Sequence, residues 1–406
     1  MSMRIRFPDG SRTILTYCTN VHAIDDLESV LGALSRYCAP VRRRLGVRRL
    51  SLGLWLSRRS ASELLASPDA RTQLREGLEA NGLELVTLNG FPYGDFHAER
   101  VKEEVYRPDW ADVRRHHYTL DLAHILCELL PADVEEGTIS TLPLTYAPTA
   151  GASSAEECAT TLAHLAVDLH RLADRHGRRI RVCLEPEPDC IVETSDQAIA
   201  FFHDRLRPAV RRRGVDPAIV DRHLGLCFDA CHQAVEFEDP AAAWSKISEA
   251  GIRVGKVQLS CALEVPGEDS SRAEPRLRPF DEIRFLHQVR RRDRSGVVEG
   301  WADLGPALAA RERFAEPADW RVHFHAPLHW EPQGQGLRTT SKDLLQLISR
   351  AAATRPLPHF EVETYTWNVL PESIRPRDDE TLVEGIAREI EFAERALAAC
   401  GARRES

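Results

Sequence analysis

Apolar or alternating runs recur along the chain at about 13–18, 48–56, 83–89, 137–145, 179–185, 224–229, 253–260 and 358–364. Most intervals between them carry apolar residues at helical spacing. Eight strand candidates interleaved with helices predict an α/β fold, a closed (β/α)8 TIM barrel. Ser60 with Glu63, Ser154 with Glu157 and Thr194 with Gln197 have the spacing of a capping box. Between Ser154 and Gly177, Leu162, Leu165, Leu169 and Leu172 repeat every three or four residues, and Gly177 supplies a left-handed stop. A closing helix from about Glu380 to Ala399 aligns Ile386, Ile390, Ala393 and Leu397 on one stripe facing the barrel.

The alternation breaks once, between Val265 and Pro358. A Pro- and Arg-rich stretch (266–279) is followed by a hairpin signal at Asp293-Arg294-Ser295-Gly296, a helix from about Asp303, and a ninth β-like run from Trp320 to Leu328. Residues 266–330 therefore read as an insertion between strands seven and eight. Loops on that rim of a barrel carry function, which makes the segment a lid or partner-binding surface; the plainer alternative is a variable surface excursion. No repeat or linker divides the rest, so residues 1–406 read as one barrel domain.

Charge and composition narrow the function. A formal charge of -9 argues against a nucleic-acid partner, whose binding draws on clustered Lys and Arg. The basic runs Arg42-Arg43-Arg44, Arg211-Arg212-Arg213 and Arg290-Arg291-Arg292 sit at predicted element ends and read as solvated faces. Ten cysteines without a C-x-x-C pair suggest neither a zinc ribbon nor a disulfide framework, and fit a reducing, cytoplasmic setting. Neither the N-terminus nor any later stretch has the apolar run that membrane insertion requires.

The chemistry lies in three short runs: Leu184-Glu185-Pro186-Glu187-Pro188, Phe228-Asp229-Ala230-Cys231-His232 and Val362-Glu363-Thr364. Each sets an acid or an imidazole just after an apolar strand. Carboxylates at equivalent ends of buried parallel strands are costly to desolvate without a cation, so Glu185, Asp229 and Glu363 predict a divalent-metal site with His232 beside it. Glu187 points the same way but farther out. His323-Phe324-His325 puts two imidazoles on one face of an extended segment, a spacing that suits a metal or a phosphate-like ligand and equally a substrate pocket. Asn20, His22, Asn89 and Tyr93, at the ends of strands one and three, are suited to holding a polyol or ring ligand, or to capping their loops. Trp55, Phe91, Tyr93, Tyr365 and Trp367 supply a potential apolar wall. The chain has no Gly-x-Ser-x-Gly elbow, Walker-type loop, Gly-x-Gly-x-x-Gly or His-Glu-x-x-His, and Cys231 reads as a small buried residue rather than a nucleophile.

Glu after strand five, Asp-x-x-His after strand six and Glu after strand eight resemble the xylose-isomerase-like barrel superfamily of sugar isomerases, epimerases and repair endonucleases. More specifically, the runs 15–22 (Leu-Thr-Tyr-Cys-Thr-Asn-Val-His), 87–94, 323–328 and 361–367 (Glu-Val-Glu-Thr-Tyr-Thr-Trp) resemble the EboE metabolite traffic proteins. The superfamily resemblance implies a metal held by Glu185, Asp229 and Glu363 with an imidazole on strand seven. Here Gln258 stands in that place, a weaker ligand, and His325 from the insertion is the candidate to supply the nitrogen. Strand three ends in Asn89 and strand four in Leu142-Pro143-Leu144, so the histidines holding the repair enzymes' additional metals are missing. The EboE resemblance implies partners encoded with a UbiA-like prenyltransferase and a role in processing or export of secondary metabolites.

The expected function is a metal-dependent isomerase or epimerase acting on a polyhydroxylated or cyclic small metabolite. Its Mn²⁺ or Zn²⁺ ligands are expected among Glu185, Asp229, Gln258, Glu363 and His325. Glu185 and Glu363 are the candidate acid/base pair, with His232 orienting a hydroxyl, and Asn20, His22, Asn89, Tyr93, His232, His323 and Trp367 are the candidate substrate contacts. Two rivals stay open: a non-catalytic metabolite-binding barrel serving export or biosynthetic partners, favoured by Gln258 and the insertion, and a metal-assisted hydrolase using His323 and His325.

Overall fold

Eight parallel strands, β1 (Arg12–Cys18), β2 (Leu50–Trp55), β3 (Leu83–Asn89), β4 (Glu136–Thr141), β5 (Arg179–Leu184), β6 (Leu224–Asp229), β7 (Val254–Leu259) and β8 (His359–Val362), pair each with the next. Phe360, Glu361 and Val362 of β8 then pair with Leu15, Thr16 and Tyr17 of β1, which closes the barrel. This computed structural model describes residues 3–311, 316–332 and 336–405. All eight predicted strands are present. The fourth is shorter than its apolar run predicts, because Leu144 adopts a left-handed φ of 76° and turns the chain off the sheet after Thr141.

Helices cover the outside as their periodicity requires. Leu162, Leu165, Leu169 and Leu172 are buried along the helix Ser154–His176, which ends where Gly177 takes φ 65° and donates its N–H to Ala173. The capping box at Thr194 and Gln197 forms in both directions. The other two predicted caps shift. Ser57 rather than Ser60 caps the helix Arg58–Ala66, accepting from the Ser60 N–H, so that helix starts one turn early. Ser153 precedes the helix at 154, and its hydroxyl bonds the Glu157 carboxylate instead of a backbone amide. The closing helix, Asp379–Ala399, buries its stripe of Ile386, Ile390, Ala393 and Leu397.

The barrel interior is not uniformly apolar, contrary to the pattern expected of parallel strands. Side chains two apart on a strand share a face, so Lys256 on β7 and Glu361 on β8 both point inward. Both are fully buried and form an ion pair at 2.5 Å. Thr16 donates to Glu361 Oε2 at 3.1 Å, and Lys256 Nζ donates to Ser140 Oγ at 3.2 Å. Gly53 on β2 makes the room: a Cβ there would lie 1.5 Å from Glu361 Oε2.

Between β7 and β8 the chain builds a second, antiparallel sheet from Leu263–Val265, Val289–Asp293, Val298–Trp301, Ala318–Val322 and Arg338–Thr339. It begins before residue 266 and extends past 330, because Leu263–Val265 pairs on one side with Ala318–Val322 and on the other with Arg338–Thr339. Residues 312–315 of the predicted insertion lie outside the described residues. The predicted ninth run stops at Val322, so His323 to Leu328 continue as irregular chain tied to the barrel by the Ala326 N–H to Cys261 bond. Arg290 and Arg291 are buried rather than solvated. Arg290 pairs with Asp189, Glu193 and Glu236 and so docks the second sheet on the loop after β5, while Arg291 pairs with Glu299. Among the described residues no helix is long and apolar enough to cross a membrane, and the ten cysteines are unpaired.

Candidate active site

The three acidic runs meet at the C-terminal ends of the barrel strands. Glu185 directly follows β5, with its N–H bonded to Thr141 on β4. Asp229 ends β6 and caps the next helix, Ala230–Val235; its Oδ1 accepts from the His232 N–H at 2.9 Å and from Ser260 Oγ at 2.8 Å. That cap swings the His232 ring over the barrel mouth, where Nδ1 donates to the Pro186 carbonyl at 3.1 Å. Its Nε2 lies 3.8 Å from Asp229. Glu363 follows β8, and its Oε1 accepts from Asn20 and Asn89, each at 2.8 Å.

These donors fit a divalent metal. Ligand atoms of Glu185, Asp229 and Glu363 lie within 4.8 Å of one another, as do those of Asp229, His232 and His325, and those of Glu187, His232 and His323. Glu185 Oε2, Asp229 Oδ2 and His325 Nε2 are buried without a partner. Leaving a buried polar atom unsatisfied costs about 1–3 kcal/mol, more for a charged group, and a cation among these atoms removes that cost. The imidazoles are oriented as metal ligands are: His325 Nδ1 donates to the Glu363 carbonyl at 2.8 Å and His323 Nδ1 to Gln288 Oε1 at 2.7 Å, which leaves Nε2 as the acceptor. Mixed carboxylate and imidazole donors suit a divalent cation.

Burial, followed by repulsion from Glu363, Asp229 and Glu187, pushes the Glu185 carboxyl well above the usual range. Glu363 is raised in the same way by burial, then by Asp229 and Glu361, against the opposing pull of Lys256 and the Asn20 amide. Burial lifts Glu187 to about 8 although the Tyr106 hydroxyl opposes it. Burial lowers His232 to about 4 and also lowers His323 and His325, which favours the neutral rings that bind metals.

A cavity open to solvent lies above this cluster. Asn20, Asn89, Glu185, Glu187, His232, His323, His325 and Glu363 give it a polar lining and Phe91, Phe96, Val105, Phe285 and Leu286 an apolar one; Tyr365 joins the two, its ring 4.7 Å from that of His325 and its hydroxyl 3.5 Å from His323 Nε2. Asp229 is fully buried beside the floor. Four sequence candidates sit elsewhere. His22 is carried past the mouth by the 3-10 turn Thr19–Val21 and stacks on Tyr37 at 4.3 Å. Tyr93 packs edge-on against Tyr118. Trp367, in a further 3-10 turn, donates to Glu389 of the closing helix at 3.0 Å. Gln258 faces the barrel interior, where its Oε1 accepts from the Cys227 thiol at 3.0 Å.

The structure adds residues that sequence reasoning passed over. Glu187 lines the cavity rather than standing back from it; its Oε1 accepts from Tyr106, whose oxygen accepts in turn from Gln288 Nε2, both at 2.8 Å. Gln288 also fixes His323, so one hydrogen-bonded chain runs from Glu187 to His323. The two-residue spacing of Glu185 and Glu187 was the available signal; Tyr106 and Gln288 carry none.

Fold and site together define a β/α barrel with a carboxylate- and imidazole-lined cavity at the C-terminal end of its strands. No protein-family model matches the chain, and no curated protein matches it by sequence. Among solved structures it is similar to an L-ribulose 3-epimerase, at 14% identity over 97% of this chain and 99% of that one, with a TM-score of 0.47. It is also similar to a putative sugar phosphate isomerase/epimerase from Anabaena variabilis, at 12% identity over 95% and 99%, TM-score 0.48. A third is an IOLI protein with a bound zinc atom, at 11% identity over 93% and 97%, TM-score 0.47. These likenesses concern the outline of the fold, and the residue assignments above rest on this chain's own geometry.

Proposed function

We propose that the protein is a divalent-metal-dependent isomerase or epimerase acting on a polyhydroxylated or cyclic small metabolite. The observation that carries this reading is the convergence of Glu185, Asp229 and Glu363, two of them with unpartnered buried oxygens, beside neutral imidazoles at the barrel mouth. Glu185, Asp229, Glu363 and His325 would hold the ion. Bound there, Mn²⁺ or Zn²⁺ supplies Lewis-acid polarisation of substrate oxygens. Glu185 and Glu363 are the groups that would exchange a proton with a carbon next to a carbonyl, through a carboxylate oxygen not bound to the ion. His232 offers Nε2 to a substrate hydroxyl, while Asn20 and Asn89 hold Glu363 in place. In this proposal the described residues 266–311 and 316–330 act as the lid, supported by Phe285, Leu286, His323 and His325 lining the cavity. The EboE-type role in secondary-metabolite processing or traffic, in the cytosol and with partners from a prenyltransferase-containing gene cluster, rests on the four resembling sequence runs.

Metal content measured by elemental analysis on tag-free protein tests the reading, alongside a Glu185→Gln/Asp229→Asn double variant. Near-stoichiometric Mn or Zn in the wild type and its loss in the variant are expected, together with solvent deuterium entering the α-carbon of a substrate. No metal in either protein after reconstitution would overturn the proposal. A second reading, metal-assisted hydrolysis, draws support from the packing of His232, His323 and His325, whose ring centroids lie 4.5 to 5.6 Å apart. Hydrolytic turnover without deuterium incorporation would favour it.

A further inference from the structure

Taking this cavity as the reaction site, we infer that its substrate is an uncharged vicinal diol or hydroxyketone bearing an apolar ring or branched hydrocarbon face, and that phosphorylated sugars are rejected.

The inference follows from how the polar and apolar parts of the cavity lining differ. The polar groups are mainly carboxylates, amides and imidazoles, a surface for neighbouring hydroxyl or carbonyl oxygens. The rest is largely hydrocarbon and aromatic. Phe96, Phe285 and Tyr365 form a three-ring wall with centroids 4.9 to 5.4 Å apart, and Phe91, Val105 and Leu286 extend it. A small open-chain polyol presents hydroxyls along its whole length, and a free sugar offers only the C–H face of its ring, so either covers less of that wall than a hydrocarbon face does. A substrate with one apolar face covers it.

Charge within the lining weighs against a phosphate there; Arg284, which stacks on Phe285, is not part of that lining. Recognition of a phosphate needs arginine or lysine groups, or a helix N-terminus, aimed at it. Among the described residues lining the cavity there is no arginine, and Lys102 is the single lysine. Its ammonium has three hydrogens and all three are engaged, with the Glu282 carbonyl at 3.0 Å, the Phe285 carbonyl at 2.6 Å and Asp303 Oδ2 at 2.7 Å. The Nδ1 hydrogens of His232, His323 and His325 are likewise bonded away from the cavity. A divalent ion on the floor is already faced by Glu185, Asp229 and Glu363, with Glu187 beside them. Lys102 thus works as a latch: with the Val101 and Lys102 N–H groups bonded to the Arg284 carbonyl, it joins the loop after β3 to the segment leading into the second sheet and holds Phe285 in the wall, so the apolar face exists before any ligand arrives.

Three ligands sharing one diol and differing only in the third substituent test this: glycerol, glycerol 1-phosphate and 1-phenylethane-1,2-diol. Their affinities for the full chain are measured by isothermal titration calorimetry, in Mn²⁺ buffer and after chelation, with metal content determined on the same samples. The phenyl diol is expected to bind at least about ten-fold tighter than glycerol, the effect of burying one ring face, and the phosphate no tighter than glycerol. Phe285→Ala should narrow the phenyl advantage at least about three-fold. Tighter binding of the phosphate, equal affinity for the phenyl diol and glycerol, or no binding of the phenyl diol up to its solubility limit would overturn the inference. Bound metal with a preference for phosphate would sink this inference and leave the metal-dependent reading. A phenyl preference in protein that never takes up metal would do the reverse.

Discussion

Gly53→Ala is a one-carbon change inside the barrel with a large expected cost. The new Cβ would stand 1.5 Å from Glu361 Oε2, 2.6 Å from its carboxyl carbon and 3.1 Å from Oε1, so the carboxylate must leave its place. That place is beside Lys256, and both side chains are fully buried. Overpacking alone costs about 1–3 kcal/mol, whereas parting a buried ion pair costs about 3–5 kcal/mol because the stranded charge has no solvent. The expected loss is therefore about 4 kcal/mol, against a total stability of about 5–15 kcal/mol for an ordinary domain. Urea unfolding followed by fluorescence and circular dichroism measures it. Gly32→Ala serves as the control: it lies in the helix Leu27–Ala33 with nothing within 4 Å of its Cβ position, and should gain about 0.5–1 kcal/mol. The mechanism makes a further demand. If the clash acts through Glu361, then Gly53→Ala/Glu361→Ala should be no less stable than Glu361→Ala alone. A Gly53→Ala loss under about 0.5 kcal/mol, or additive losses in the double variant, would mean that the barrel takes up the added carbon without parting Glu361 from Lys256.

Asn89→Ala removes one of the two amide donors to Glu363 Oε1, so the carboxyl should rise further and the pH midpoint for Mn²⁺ binding, followed by metal titration, should move up by roughly one unit. Glu389, buried under Thr364, Trp367 and the Leu328 N–H, is raised to about 7 by burial. A raised carboxyl holds its proton longer in the folded than in the unfolded chain, so it lowers stability as pH rises from about 4.5 to 7, by about 3 kcal/mol in all. Glu389→Gln should flatten the stability–pH curve in that window, and an unchanged slope would show that the residue does not titrate there. Lys102→Met should leave the barrel folded and raise amide hydrogen exchange in residues 101–106 and 282–286, where the latch holds two backbone carbonyls; unchanged exchange would mean that the loop and the second sheet are held by other contacts.

The barrel was legible because its signal is periodic: eight apolar runs, each with a helix behind it. The acids were legible because Glu185, Asp229 and Glu363 stand where an apolar run stops, a position that burial makes conspicuous. What failed to show was anything set by a turn. Asn20 and His22 are two residues apart and look equivalent on an extended strand, yet the 3-10 turn over Thr19–Val21 sends one into the site and the other onto Tyr37. Lys102 and Phe285, 183 residues apart, meet through a backbone carbonyl that no side-chain pattern announces. Arg290 looks solvated in the sequence because its acidic partners, Asp189, Glu193 and Glu236, come from distant segments, whereas the partner of Arg291, Glu299, stands across the hairpin and takes effect only once the two strands pair.

Strand β8 contains its own comparison. Glu361 and Glu363 face the same way, one step apart, and both are buried. The lower carboxylate has a protein cation, Lys256, at 2.5 Å and needs nothing more. One layer up, Glu363 shares the mouth with Glu185, Asp229 and Glu187, and among the described residues lining that layer the single lysine is committed to Asp303 and two carbonyls. The same fold therefore solves the desolvation of a carboxylate within its own chain at one level and leaves it unsolved at the next. A layer kept acidic at that cost, with imidazoles anchored through Nδ1 and the His325 Nε2 left without a partner, is accounted for by a cation from solution. A barrel needing only a stable core has its solution already in hand at Lys256.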